Sequence, residues 1–410
     1  MGAPVARDDS LYRLPDPQQP SDPRMAQPTF STTQMLARLV AFDTTSRNPN
    51  ADLMAFVRDW LDGHGVPYRQ SGTAEKSNLH AIIGPQVEGG IALSGHVDTV
   101  PVEGQPWSSD PFALREQGGL LYARGSADMK GFVAAALAAV PGLKARGLAR
   151  PVHLFITHDE ETNMSGAREL VDDLAAAPLR PALCIVGEPS MMQPILAHKG
   201  RLALRVIARG RAGHSSAPGG GVNAIFAAAA AIGHIQAEAQ RFAAVGPFED
   251  GFDPPHTTVH VGTIQGGSIL NIIPERCEFV MEWRAIPADD FFAEVERLRA
   301  WLAAKLEPAM QAVDPQAGFT LEVMDWAPGM ALAEAHPLTT VVKQLTGANS
   351  AGKVSYGTEG GLYQQAGIPT IVCGPGDIAQ AHKADEFIAQ TQLDACDAFI
   401  RRLADRLAAA

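Results

Sequence analysis

Short apolar runs, each cut off by glycine, proline or charge, alternate with alanine-rich stretches through the first half of the chain. This rhythm limits the fold more than any other property of the sequence. The runs are LHAII at 79–83, GIALSGHVD at 90–98, HLFITHDEE at 153–161 and ALCIVGEP at 182–189. They are too short for ordinary helices and apolar throughout, which suits buried parallel strands. Between them, Lys130 to Val140 and Ser165 to Ala177 read as helices, and strands alternating with helices imply an α/β sheet. Two helices come first: STTQMLARLVAF at 31–42, opened by capping Ser/Thr, and ADLMAFVRDWLDGH at 51–64, ended by Gly65.

The rhythm changes over 199–326. RLALRVIARG alternates apolar and polar residues, as a half-exposed antiparallel strand does. A helix over 222–240 follows, then strands TTVHVGTIQG and RCEFVMEWRA, a helix over 288–306 and the strand FTLEVMDWA. The order βαββαβ is the ferredoxin-like pattern. It predicts an inserted domain whose exposed sheet edge could join a second copy. A chain of 410 residues exceeds one ordinary core. The expected division is therefore 29–198 and 327–410 as one domain and 199–326 as the insertion. The return segment supplies a helix over 336–346, the strand IPTIVCGPG and a helix over 391–408. Residues 1–28 are rich in Pro, Asp and Gln and poor in aliphatics, so they are expected to form a disordered extension. Met25, close to the first helix, is a second candidate start.

Charge and cysteine content narrow the function classes. The net charge is −12 and lysine and arginine do not cluster, so a nucleic-acid partner is not expected. The four cysteines stand far apart with no CxxC pair, which reads as buried reduced thiols. No apolar run approaches the ~20 residues of a membrane helix, and no basic-then-apolar signal opens the chain. No membrane partner is expected, and a cytoplasmic location is the default.

Polar residues at the ends of the expected strands carry the chemistry. His96 and Asp98 in SGHVDTVP share one side of a strand, so Asp98 could hold the second ring nitrogen of a metal-bound His96. The same HxD could simply form a turn. Asp128 in ARGSADMKG fits an N-cap equally well, though its two oxygens could also bridge two cations. Asp159, Glu160 and Glu161 end HLFIT. They could be a solvated loop, or one could bind metal while its neighbour reaches a bound water. Glu188, before Pro189, and His382 in AHKADEF fit a loop glutamate and a surface histidine when taken alone. Together His96, Asp128, Glu161, Glu188 and His382 offer two imidazoles and three carboxylates. That set suits a pair of divalent cations, zinc, cobalt or manganese before magnesium.

From Ser31 onward the chain resembles the two-metal amidohydrolase and metallopeptidase family that includes acetylornithine deacetylases, succinyl-diaminopimelate desuccinylases, aminoacylases and carboxypeptidase G-type enzymes. The GHVDTVP, ARGSADMKG, DEE and GEP motifs carry the likeness. The resemblance implies a metallopeptidase-like catalytic domain, its mixed, mostly parallel sheet flanked by helices, plus a ferredoxin-like lid and dimerisation domain. It implies two divalent ions, zinc first and cobalt as the alternative. One would be held by His96 and Glu188, the other by Glu161 and His382, with Asp128 bridging. Glu160 would be the general base and acid, and Asp98 would orient His96. His214 in GHSSAPGGGVNAI, Asn271 in GGSILNIIP and Arg284 in MEWRAIP match residues that hold substrate oxygen and carboxylate groups. Within the family, AFDTTSRNPN, GEPSMMQPILAHKGRLALRV and YGTEGGLYQQAGIPTIVCGPG resemble the acetylornithine deacetylases. There Glu359 of the Thr-Glu pair would favour a cationic amino group. Gly360–Gly361 and Pro218–Gly221 depart from the family pattern. The implied substrate is a small N-acyl amino acid, acetylornithine first; desuccinylase, aminoacylase and dipeptidase activities are the alternatives. The implied assembly is a homodimer.

Overall fold

The structure is a computed structural model and describes residues 29–408; the expected extension over 1–28 and Met25 lie outside them. The chain divides into two units. One comprises the chain up to Leu196, Leu332–Gly352 and Thr358 onward; the other comprises Ala197–Ala331 and Lys353–Gly357.

The first unit is built on a mixed sheet in the order Tyr68–Gly72, Ser77–Ile83, Val152–Thr157, Ile91–His96, Leu183–Pro189, Thr370–Gly374. Ile91–His96 runs parallel to both its neighbours, and Thr370–Gly374 runs parallel to Leu183–Pro189. Ser77–Ile83 is a correction: it lies antiparallel to both Tyr68–Gly72 and Val152–Thr157. Every position of Ser77–Ile83, Ile91–His96, Val152–Thr157 and Thr370–Gly374 is buried. An unbroken apolar run encodes burial on both faces of a sheet, and burial is indifferent to strand direction.

Helices cover the sheet and share its core. Ser31 caps Thr32–Val40 in a reciprocal box with Gln34. Lys130–Ala138 is buried from Lys130 to Leu137, as its nearly all-apolar sequence requires. Its Phe132 joins Leu36, Leu39, Leu53, Leu93, Leu154 and Phe399 in one cluster. Burying each such side chain stabilises the fold by about 1.5–3 kcal/mol. A Cβ at residue 187 would lie 1.9 Å from the Phe132 ring, so only glycine lets this helix approach the strand that carries Glu188. A further small sheet, Arg115–Gln117 with Leu120–Tyr122 and Phe387–Ala389, joins the segment before Asp128 to the one after His382. Strands of three residues leave no periodic trace in the sequence.

The second unit is a four-stranded antiparallel sheet in the order Thr258–Gly266, Arg276–Ala285, Gly200–Arg209, Gly318–Ala327. Helices Ala224–Val245 and Phe291–Lys305 complete the ferredoxin-like order. Gly200–Arg209 and Arg276–Ala285 alternate buried and part-buried residues. Their inner positions, among them Leu202, Leu204, Phe279 and Met281, pack with Ala228, Leu298 and Leu302 of the helices. All four cysteines are free and buried. No helix among the described residues is long and apolar enough to cross a membrane.

Candidate metal centre

Three adjacent parallel strands aim their carboxyl ends at one place, as ligand-binding α/β sheets do. Ile91–His96 ends in His96, Val152–Thr157 leads to the acidic loop, and Leu183–Pro189 contains Glu188. Asp128 comes in from the loop before Lys130–Ala138. The residue at that helix's N-cap is Met129, with no side-chain cap, so Asp128 does not serve as one. Its oxygens face two imidazoles instead: Oδ1 lies 3.2 Å from His96 Nε2, and Oδ2 lies 3.3 Å from His382 Nε2. Glu188 Oε1 stands 3.6 Å from the same nitrogen of His96, and Glu161 Oε2 stands 3.0 Å from that of His382. Two ligand groups result, His96–Asp128–Glu188 and Asp128–Glu161–His382, each with its donor atoms within 4.8 Å of one another. They share Asp128. Imidazoles and carboxylates gathered this closely, mostly away from water, fit a pair of zinc-like divalent cations.

Asp98 fastens this arrangement. His96 Nδ1 lies 3.0 Å from the Asp98 carbonyl oxygen and 3.4 Å from its carboxylate. Donation from Nδ1 leaves Nε2 free to face the ligand cluster. The Asp98 carboxylate also accepts the backbone N–H groups of Glu160 and Glu161, at 3.1 and 3.2 Å, and the Ser46 hydroxyl at 2.8 Å. One carboxylate thereby sets both the first histidine and the acidic loop. Ser46 stands within the AFDTTSRNPN phrase, and no local pattern there marks it out from its neighbours. The acidic loop is not a solvated helix start. Asp159 pairs with Lys76 and His158, Glu161 meets His382, and the helix begins at Ser165. His382 is half exposed, yet its backbone is held in the left-handed region at φ 63°, at a cost of about 1–3 kcal/mol.

Protonation in the metal-free cluster follows from crowding. Burial pushes the Glu160 carboxyl well above the usual carboxylate range; Glu161 and Asp128 add to that and His96 opposes it. Burial and the charge of Asp128 lift Glu161 to about 7. Burial and Asp128 also raise Glu188. Hydrogen bonds to Asp128 and Glu161 raise His382 to about 10. His96 is raised by Asp128 and Asp98 despite a larger opposing effect of burial. Burial likewise opposes ionisation of Asp128, but His382 and His96 hold it below its usual value. The cluster thus binds protons where divalent cations would compete for the same atoms.

Glu359 is not displayed to solvent. It is 1% exposed, and its Oε2 accepts the Tyr363 hydroxyl at 3.1 Å. Tyr363 in turn lies 2.9 Å from Ser94 Oγ, on the strand that carries His96. His214, Asn271 and Arg284 belong to the second unit. The Ser215 N–H donates to the Asn271 carbonyl, and His214 pairs with Ile272, so the first two are neighbours. His214 Nδ1 lies 2.7 Å from Ser216 Oγ and 3.2 Å from the Ser216 backbone nitrogen. Arg284 extends from Arg276–Ala285 and contacts Glu282 at 3.3 Å.

These protonation states fix a pH dependence. The folded protein holds the Glu161 proton more tightly than the unfolded chain does. The resulting stability is complete below the ordinary value of 4.5 and is lost as pH rises through about 7. The His382 contribution is complete below 6.5 and is lost toward about 10. Metal-free protein should therefore lose melting temperature as pH rises through neutrality. Zn²⁺, by replacing these protons, should raise the melting temperature more at about pH 8.5 than at about pH 6. A zinc-induced gain that is constant or shrinks over that range would contradict the proton–metal exchange.

The family model for "Peptidase family M20/M25/M40" matches residues 92–406. Among solved structures, an M20 family metallo-carboxypeptidase from Sulfolobus solfataricus superposes with a TM-score of 0.71 at 17% identity, covering 93% of this chain and 100% of its own. The aminopeptidase PepT of Bacillus cereus gives a TM-score of 0.68 at 20% identity, again over 93% and 100%. A Bacillus subtilis protein described as a dinuclear metal binding peptidase from the M20 family gives 0.63 at 14%, over 91% and 97%. At these identities the structural likeness is one of fold, whereas the family model spans most of the chain. With the strand-end ligand cluster in place, the chain belongs to peptidase family M20/M25/M40.

Proposed function

We propose that the protein is a two-metal amidohydrolase that cleaves an N-acyl amino acid, acetylornithine first, to acetate and the free amino acid. The observation that carries the two-metal reading is the Asp128 carboxylate, which offers one oxygen to each of two histidine–glutamate pairs. His96 and Glu188 would hold one ion and Glu161 and His382 the other. Zinc is the preferred ion and cobalt the alternative. The bound ions would polarise the scissile carbonyl and bring the pKa of a water from ~15.7 toward ~7.

The chain's own groups then handle the proton and the geometry. Glu160 takes the proton of the attacking water and returns it to the departing amine, so one residue serves as base and then acid. His214 donates a ring N–H to the developing oxyanion; losing one such donor typically costs ~3–4 kcal/mol. Asn271 adds a polar contact to the substrate. Arg284 binds the α-carboxylate through its planar fork. The choice of acetylornithine rests on the GEPSMMQPILAHKG, GHSSAPGGGVNAI and YGTEGG phrases. Because Glu359 is buried, it would act on a cationic amine through charge and not through contact.

The proposed assembly is a homodimer formed through the second unit. Leu270 is 97% exposed and Phe226 74%, with Ile264 and Ile269 also exposed, and Thr258–Gly266 is an edge strand. An apolar patch beside an open edge suits a second copy. Sedimentation should give twice the chain mass, and a monomer at micromolar concentration would remove this part of the proposal.

Glu160→Ala should retain both metals and lose turnover by a factor of about 10² or more. Full activity in that variant would reject the mechanism, and loss of metal would mean that Glu160 is itself a ligand. Side-by-side assays of acetylornithine, succinyl-diaminopimelate, acetylmethionine and simple dipeptides should give the highest kcat/KM for acetylornithine. A dipeptide at the top would make the protein a dipeptidase, in line with the peptidases that share its fold.

A further inference from the structure

We propose that Arg124 and Glu386 form a buried clamp that presets the backbones of Asp128 and His382, making both of them positioning residues for the metal pair. The inference rests on the two-metal reading and adds residues that the reading does not use. Each of the two side chains is 1% exposed, and they meet at 2.7 Å, Arg124 Nη1 to Glu386 Oε2. The other oxygen of Glu386 accepts the backbone N–H groups of Ala127 and Asp128, at 2.9 and 3.1 Å. Glu386 therefore holds the main chain of the shared ligand itself.

Arg124 reaches the other ligand loop. Its Nη1 also donates to the Lys383 carbonyl at 3.3 Å, and its Nη2 donates to Pro101 O and Gln105 Oε1. Gln105 passes the constraint on, since its Nε2 donates to the His382 carbonyl at 3.0 Å. Three segments are joined in this way: the turn after the His96 strand, the loop before Asp128, and the loop from His382 to Glu386. The third segment is where restraint is most needed, because His382 and Asp385 both have positive φ, 63° and 53°. A buried ion pair seldom adds much stability by itself, because desolvating two charges offsets their attraction. Here the pair fixes peptide groups next to ligands, which is how outer-shell contacts tune metal sites.

The group Asp128–Glu161–His382 has two clamped ligands, whereas His96–Asp128–Glu188 has one. The clamp should therefore matter more for one ion than for the other. Calorimetric Zn²⁺ titration of the full chain, stripped of metal, tests this with Glu386→Gln, whose amide oxygen still accepts from the two N–H groups but whose charge is gone. One of the two Zn²⁺ affinities should fall by about 10- to 100-fold while the other stays close to native. The metal-free melting temperature should fall too, because Glu386→Gln leaves the Arg124 guanidinium buried without its anion, and it should fall less in Arg124→Lys, which keeps both charges. With the best substrate, kcat should drop at limiting Zn²⁺ and recover with excess, at unchanged KM. Arg124→Lys, which keeps the charge and loses the fork, should show the same split, and it carries the test if Glu386→Gln does not fold. Two native affinities in these variants would overturn the clamp. So would an equal loss of both affinities in step with the metal-free melting temperature. The titration needs no substrate, so a wrong substrate leaves it intact. Wild-type protein that takes up no pair of ions would instead overturn the two-metal reading, and the clamp with it.

Discussion

The site depends on one carboxylate having two faces. Asp128 directs one oxygen to His96 and the other to His382, although one histidine ends the strand Ile91–His96 and the other lies in a loop far along the chain. Without Asp128 the remaining donors are two separate histidine–glutamate pairs. With it they become a single centre in which two cations would share one anion. The rest of the first unit serves this placement. The sheet brings three strand ends together, glycine at 187 lets the buried helix approach Glu188's strand, and the small three-stranded sheet ties the Asp128 segment to the His382 segment.

Such a cluster is costly to assemble without metal. Glu160, Glu161 and Glu188 are all pushed toward their protonated forms, chiefly by burial, with neighbouring carboxylates adding to it. The protein meets that cost with neutral donors and with protons. Asp98 is satisfied by two peptide N–H groups and a hydroxyl, Glu386 by two peptide N–H groups and a guanidinium, and both imidazoles favour protonation. Local stability is thus given up for a site ready to exchange protons for divalent cations.

Much of the architecture can be read from the sequence because burial and period are local. Continuous apolar runs mark the central strands, alternation marks Gly200–Arg209, and Ser31 with Gln34 marks the first helix start. The direction of Ser77–Ile83 is hidden because its run looks the same either way. Asp128 is legible only through its motif, since its neighbours suit an N-cap just as well. The burial of Glu359 is hard to read locally: its partner Tyr363 is only four residues on, but the strand residue Ser94 that meets Tyr363 is far away in the chain. Arg124 and Glu386 each lie within a recognisable motif, yet 262 positions separate them. Periodicity carries no information about pairing across that distance.

Metal counting on purified protein addresses the shared carboxylate most directly. Wild-type chain, reconstituted with Zn²⁺ and measured by plasma mass spectrometry, should carry two ions. His382→Ala should keep one, held by His96, Asp128 and Glu188. Asp128→Ala should fall below one, because both groups lose a member. An Asp128→Ala protein that still binds two ions would show that the two sites do not share this residue, and the account of the centre would be wrong.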